Sequence, residues 1–109
     1  MMSISVDVLG TKYSIEQSCE AKDINLKEYD GYCDHSVKSI VINTFNSCPG
    51  SMQNLEEYKK QVIRHELVHA FLFESGLDGN SWANNEEIVD WIACQFPKLM
   101  KAFTDVGAL

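Results

Sequence analysis

Proline is scarce, with two residues in 109, and glycine is limited to six. With 45% hydrophobic and 23% charged residues, the composition excludes a collagen-like, low-complexity or wholly disordered protein. No apolar run approaches the ~20 residues that a bilayer helix needs. The start, residues 1–7, has neither a basic segment nor a long apolar stretch, so no secretory signal is expected. Positive charge is also in short supply. Nine Lys+Arg against sixteen Asp+Glu leave a net charge of −7, which argues against nucleic acid or an anionic membrane as the main partner. CxxC pairs are absent. Cys19, Cys33, Cys48 and Cys94 are scattered and favour no disulfide connectivity, so they read as reduced thiols of a cytoplasmic protein. Residues 1–109 are expected to form a single domain. A core of this size is marginal, so a bound metal or partner would matter to its stability.

What is present divides into a β half and an α half. Residues 3–9 alternate polar and apolar, and 10–12 form a plausible turn into 13–15. Residues 16–28 are polar and weakly patterned, and read as a loop or short helix. Segments 29–34 and 38–43 look like two further strands, turning at 35–37. The sum is a small antiparallel sheet, with 38–43 as an edge strand. Cys48-Pro49-Gly50-Ser51 is a break. Beyond it Leu55, Tyr58, Val62, Ile63, Leu67, Val68, Phe71 and Leu72 recur at helical spacing. Asn54 or Ser51 is placed to cap this helix, and Gly76 stands where a C-terminal glycine belongs. Its last turns are apolar almost all round, which predicts burial on several sides. A second helix follows from Asn84-Asn85 through Phe96, where Pro97 kinks or restarts it, and a helical pattern runs on to Gly107.

The chemistry is concentrated in His65-Glu66-Leu67-Val68-His69, on the first helix. Residues four apart on a helix are separated by about 40° and one turn. His65 and His69 therefore present two imidazoles to one metal ion. Glu66 lies near that face without being needed as a ligand. It is placed to take a proton from a metal-activated water and deliver it to a leaving amine. A catalytic zinc usually has three protein ligands. No third His follows at the metzincin spacing, which leaves the acids of residues 85–90. Relative to the apolar face Ile88, Val89, Ile92, Phe96 and Leu99, Glu86 lies roughly 90° from the centre, and Glu87 points nearly the opposite way. Glu86 is thus favoured as third ligand, with Glu87 the alternative in another register. Asp90, one turn after Glu86, is placed to accept the N–H of a ligand imidazole.

The pattern His65-Glu66-x-x-His69 followed by Asn85-Glu86-x-x-x-Asp90 resembles the gluzincin clan of zinc peptidases. It is most similar to the small members: the minigluzincins and the short metallopeptidase domains of phages and mobile elements, distantly of the ImmA/IrrE type. The resemblance covers roughly residues 30–97. Val68 departs from the ImmA/IrrE pattern, which usually has Gly there, so the resemblance is at the level of the clan. It implies a zincin-like fold, a bound Zn2+ held by His65, His69 and Glu86, and hydrolysis of a peptide or protein substrate with Glu66 as general base and acid. His35, Tyr13 and Tyr32 are candidates for stabilising an oxyanion, although a surface position for His35 and packing roles for the tyrosines are the simpler reading. Two other functions fit the same residues: a zinc-stabilised binding module, and a regulatory partner of phage or mobile-element origin that acts by contact.

Overall fold

The computed structural model describes residues 3–45, 54–77, 79 and 85–109. The chain is α+β: strands β1 (Ser3–Val8) and β2 (Thr11–Ser18), a short 3-10 turn (Ile24–Lys27), strands β3 (Gly31–Asp34) and β4 (Ser39–Asn43), then helices α1 (Leu55–Glu74) and α2 (Glu86–Asp105). The sequence break expected at 48–51 and most of the loop at 78–84 lie outside the described residues.

The four strands form one sheet in the order β1-β2-β4-β3. β1 pairs with β2, and β3 with β4, antiparallel; β2 and β4 run parallel, with Ile15 opposite Ile40. The sheet is therefore mixed rather than antiparallel, and β4 is an inner strand rather than an edge. The reason lies in its side chains. Ile40, Val41 and Ile42 are consecutive and all buried, the pattern of a strand covered on both faces. β2 also extends to Ser18, further than the polar residues after Ile15 suggested, because Glu16, Gln17 and Ser18 pair with Val41, Ile42 and Asn43.

The core is built from Val8, Tyr13, Ile40 and Ile42 of the sheet with Val62 and Ala70 of α1. Gly31 sets how closely β3 approaches α1. A β-carbon there would meet Val62 Cγ1 at 2.9 Å, Ile42 Cδ1 at 3.0 Å and the Val41 carbonyl at 3.1 Å. α1 is capped by Asn54, whose side chain accepts from the Glu57 N–H. It is closed by Gly76 at φ +82°: the Gly76 and Leu77 N–H groups donate to the Phe73 and Leu72 carbonyls, the expected C-terminal motif. The expectation that α1 is buried on several sides is corrected. Phe71 is 41% exposed, because one sheet and one helix cover only two stripes of α1.

Asn85 caps α2, accepting from the Ile88 N–H. Pro97 lies inside this 20-residue helix without ending it. Proline has no N–H, so the carbonyl four residues earlier, that of buried Ala93, loses its helical partner. The Arg64 Nε of α1 donates to that carbonyl at 2.7 Å. The two helices are thus joined by a charged donor at the one place where α2 lacks its own. Cys19, Cys33 and Cys94 form no disulfide among the described residues, and Cys48 lies outside them. Among the described residues no helix is long and apolar enough to cross a membrane.

Candidate metal centre

One helical turn separates His65 from His69 on α1, and their rings lie 4.9 Å apart. The first turn of α2 brings Glu86 onto both. Its Oε2 is 3.1 Å from His65 Nε2, and its Oε1 is 2.6 Å from His69 Nε2. Each of the three residues offers one ligand atom, and these atoms lie within 4.8 Å of one another, a group able to hold a metal ion. Around a tetrahedral ion with bonds of about 2.0–2.1 Å, ligand atoms are roughly 3.3 Å apart, a spacing that this group reaches with small side-chain shifts from its carboxylate–imidazole contacts of 2.6 and 3.1 Å. Two imidazole nitrogens and one carboxylate oxygen are also a donor set that suits zinc. Asp90 Oδ1 lies 3.4 Å from His65 Nδ1, the nitrogen facing away from Glu86. A carboxylate there holds the ring orientation that leaves Nε2 for a metal.

The position of Glu86 follows from the packing of α2. The residues of α2 buried against the rest of the chain are Val89 and Ala93. Glu86 lies about 20° from Ala93 and about 60° from Val89 around the helix. The packed stripe is therefore centred closer to Glu86 than the apolar count implied, and Ile88 and Phe96, expected inside, are exposed. Glu86 itself stands at the rim, with its side chain 70% exposed. Glu87 is exposed and outside the group.

Glu66 is the one buried charged residue among those described, 8% exposed. Burial pushes its carboxyl up to about 7; His65 opposes the shift and the Glu86 carboxylate adds to it. No hydrogen bond contributes to that balance. The side chain lines a cleft of about 620 Å³ shared with His65, His69, Glu86 and Asp90 on the helices. The opposite wall is the segment 28–33 leading into and along β3, the edge strand.

The remaining candidates separate. The Tyr13 hydroxyl donates to Glu74 Oε2 at 2.7 Å from a wholly buried position. Tyr13 is a core residue, and burial raises its phenol pKa. Tyr32 lines the cleft, but its hydroxyl donates to Asp23. His35 is half-buried rather than on a surface loop. Its ring stacks on Phe73 at 4.0 Å, and its Nδ1 lies 3.4 Å from Cys33 Sγ. It borders the cleft without joining the metal-ligating group. Two residues that position the site were not singled out from the sequence. Gly31 carries no local signal. Arg64 does have one at a distance, since Pro97 inside an amphipathic helix implies an orphan carbonyl that needs an outside donor. No family model, no curated protein and no solved structure matches the chain, so the geometry of the site carries the functional argument.

Proposed function

We propose that this chain is a zinc-dependent peptidase of gluzincin type, with His65, His69 and Glu86 as metal ligands and Glu66 as general base and acid. The observation that carries the reading is the convergence, on a single cleft, of three potential metal donors and one buried carboxylate with no hydrogen-bond donor among the described residues. Zinc bound there would polarise a carbonyl and make water acidic enough to attack at neutral pH. Glu66 takes the proton from the attacking water and returns it to the leaving amine. Burial raises the Glu66 carboxyl, and the charge of a zinc ion beside it would offset that rise, leaving a carboxylate able to accept the proton and hand it on. Asp90 orients His65. The free edge of β3 offers backbone groups to an extended peptide, which would lie across the cleft beside Glu66. Cys19, Cys33 and Cys94 form no disulfide among the described residues, which suits a reducing compartment, and the peptidase read here would work in the cytoplasm.

The test is hydrolysis of a mixed peptide pool by zinc-loaded wild type and by Glu66→Gln. Loss of the general base should slow cleavage by roughly 10²–10⁴-fold with zinc and fold retained. Equal cleavage by both would move proton transfer to another group. Full zinc binding with no cleavage by wild type would leave a zinc-stabilised binding module.

A further inference from the structure

We propose that the cleft selects a substrate bearing a cationic side chain, lysine or arginine, close to the bond to be cut; this rests on the peptidase reading above. Among the described residues, the charged groups lining the cleft besides its histidines are Glu28, Asp30, Glu66, Glu86 and Asp90, and no Lys or Arg lines it. Two cations, Lys38 and Arg64, are committed elsewhere. Lys38 pairs with Glu74 at 2.9 Å, and Arg64 donates to the Ala93 carbonyl. Glu66 aside, a divalent ion offsets two of the four negative charges of Glu28, Asp30, Glu86 and Asp90 and leaves the cleft anionic.

Two further observations distinguish this wall from an ordinary solvated acidic surface. Glu66 is an acid nine-tenths buried that opens on the cleft and accepts no hydrogen bond from the described residues. Between the acids stand Tyr29, Tyr32 and Tyr58. The Tyr58 hydroxyl donates to Asp30 and that of Tyr32 to Asp23. With both hydroxyls tied to carboxylates, what the Tyr58 and Tyr32 rings offer a ligand is aromatic surface. Carboxylates set among neutral aromatic rings attract a cation by charge and by the ring quadrupole together. They repel an acidic peptide, as a site tuned for discrimination requires. Glu28, exposed and at the start of the β3 wall, and Asp30 are the residues placed to meet the cationic side chain.

The test is binding rather than turnover. Blocked alanine pentapeptides with a central Lys, Glu or Ala are titrated into zinc-loaded Glu66→Gln protein at low and at physiological salt. An unblocked all-alanine peptide is added to distinguish a side chain from an amino terminus. The lysine peptide should bind about tenfold tighter than the alanine peptide, with the glutamate peptide weakest and the spread narrowing with salt. Glu28→Gln should reduce the lysine preference severalfold, and Glu28→Lys should reduce it further. Equal binding of the lysine and glutamate peptides, no binding of the lysine peptide, or an unchanged preference in Glu28→Lys would overturn the proposal. An unblocked alanine peptide that binds as well as the lysine peptide would overturn the assignment to a side chain. Because binding is measured without cleavage, a wild type that cuts nothing would defeat the peptidase reading by itself and leave this result distinct.

Discussion

Removing Arg64 exposes how α2 is held, and through α2 how Glu86 is held. Arg64→Leu keeps an apolar stem but deletes the 2.7 Å hydrogen bond to the Ala93 carbonyl. That carbonyl belongs to a residue with no exposure, and Pro97 denies it a helical donor. A buried acceptor left unsatisfied costs about 1–3 kcal/mol, and a hydrogen bond from a charged donor is worth about 1.5–3 kcal/mol. The expected loss is therefore about 2 kcal/mol, which for a chain of this size lowers Tm by on the order of 10 °C. The control is Pro97→Ala, which restores an N–H able to reach the same carbonyl from within α2. In that background Arg64 becomes redundant, and Arg64→Leu should cost less than about half as much. Urea unfolding of wild type, the two single variants and the double variant gives the coupling. A coupling of about 1 kcal/mol is expected. Additivity within about 0.3–0.5 kcal/mol, the usual result for independent sites, would refute the link between Pro97, Ala93 and Arg64.

Two other perturbations probe the frame around the site. Gly31→Ala should cost roughly 1–3 kcal/mol through overpacking, since its β-carbon meets Val62, Ile42 and the Val41 carbonyl at 2.9–3.1 Å; unchanged urea unfolding would show that β3 can lift off α1 freely. Glu74 ends α1, where a negative charge opposes the helix dipole, and it is held by Lys38, Tyr13 and Thr11. Lys38 first, then the Tyr13 and Thr11 hydroxyls, keep its carboxyl below the ordinary 4.5. Its contribution is then complete above pH 4.5 and is lost as pH falls through the lower folded value. The Tm difference between wild type and Glu74→Gln should be largest near neutrality and shrink in acid; a difference independent of pH would refute the assignment.

Two members of the candidate metal-binding group were legible in the sequence because they are local. His65 and His69 are one turn apart on a helix whose caps, Asn54 and Gly76, were also readable. Glu86 was reached by helical periodicity, although the face used for the argument was centred on Ile88 and Phe96, which turn out to be exposed. Burial counts favour large apolar residues, whereas helix–helix contact here is made through Val89 and the small Ala93. Strand pairing was less accessible. The parallel alignment of β2 with β4 joins residues about 25 apart in sequence and leaves no local pattern. The inner position of β4 did have a signal: Ile40-Val41-Ile42 is an unbroken apolar run, which an edge strand does not need. His35 lies in the turn expected for it, but its half-buried position left no local signal, because its ring partner, Phe73, is contributed by the end of α1.

The central claim is that His65, His69 and Glu86 bind one metal ion, and zinc titration of the metal-stripped protein tests it most directly. Wild type should take up about one zinc per chain, with a matching rise in Tm because the ligand binds only the folded state. Glu86→Ala should weaken that affinity by orders of magnitude. Asp90→Ala should weaken it by about 10–100-fold, and Glu87→Ala should leave it unchanged. A folded wild type that binds no zinc, or a protein that tolerates Glu86→Ala and loses its zinc with Glu87→Ala, would contradict the account.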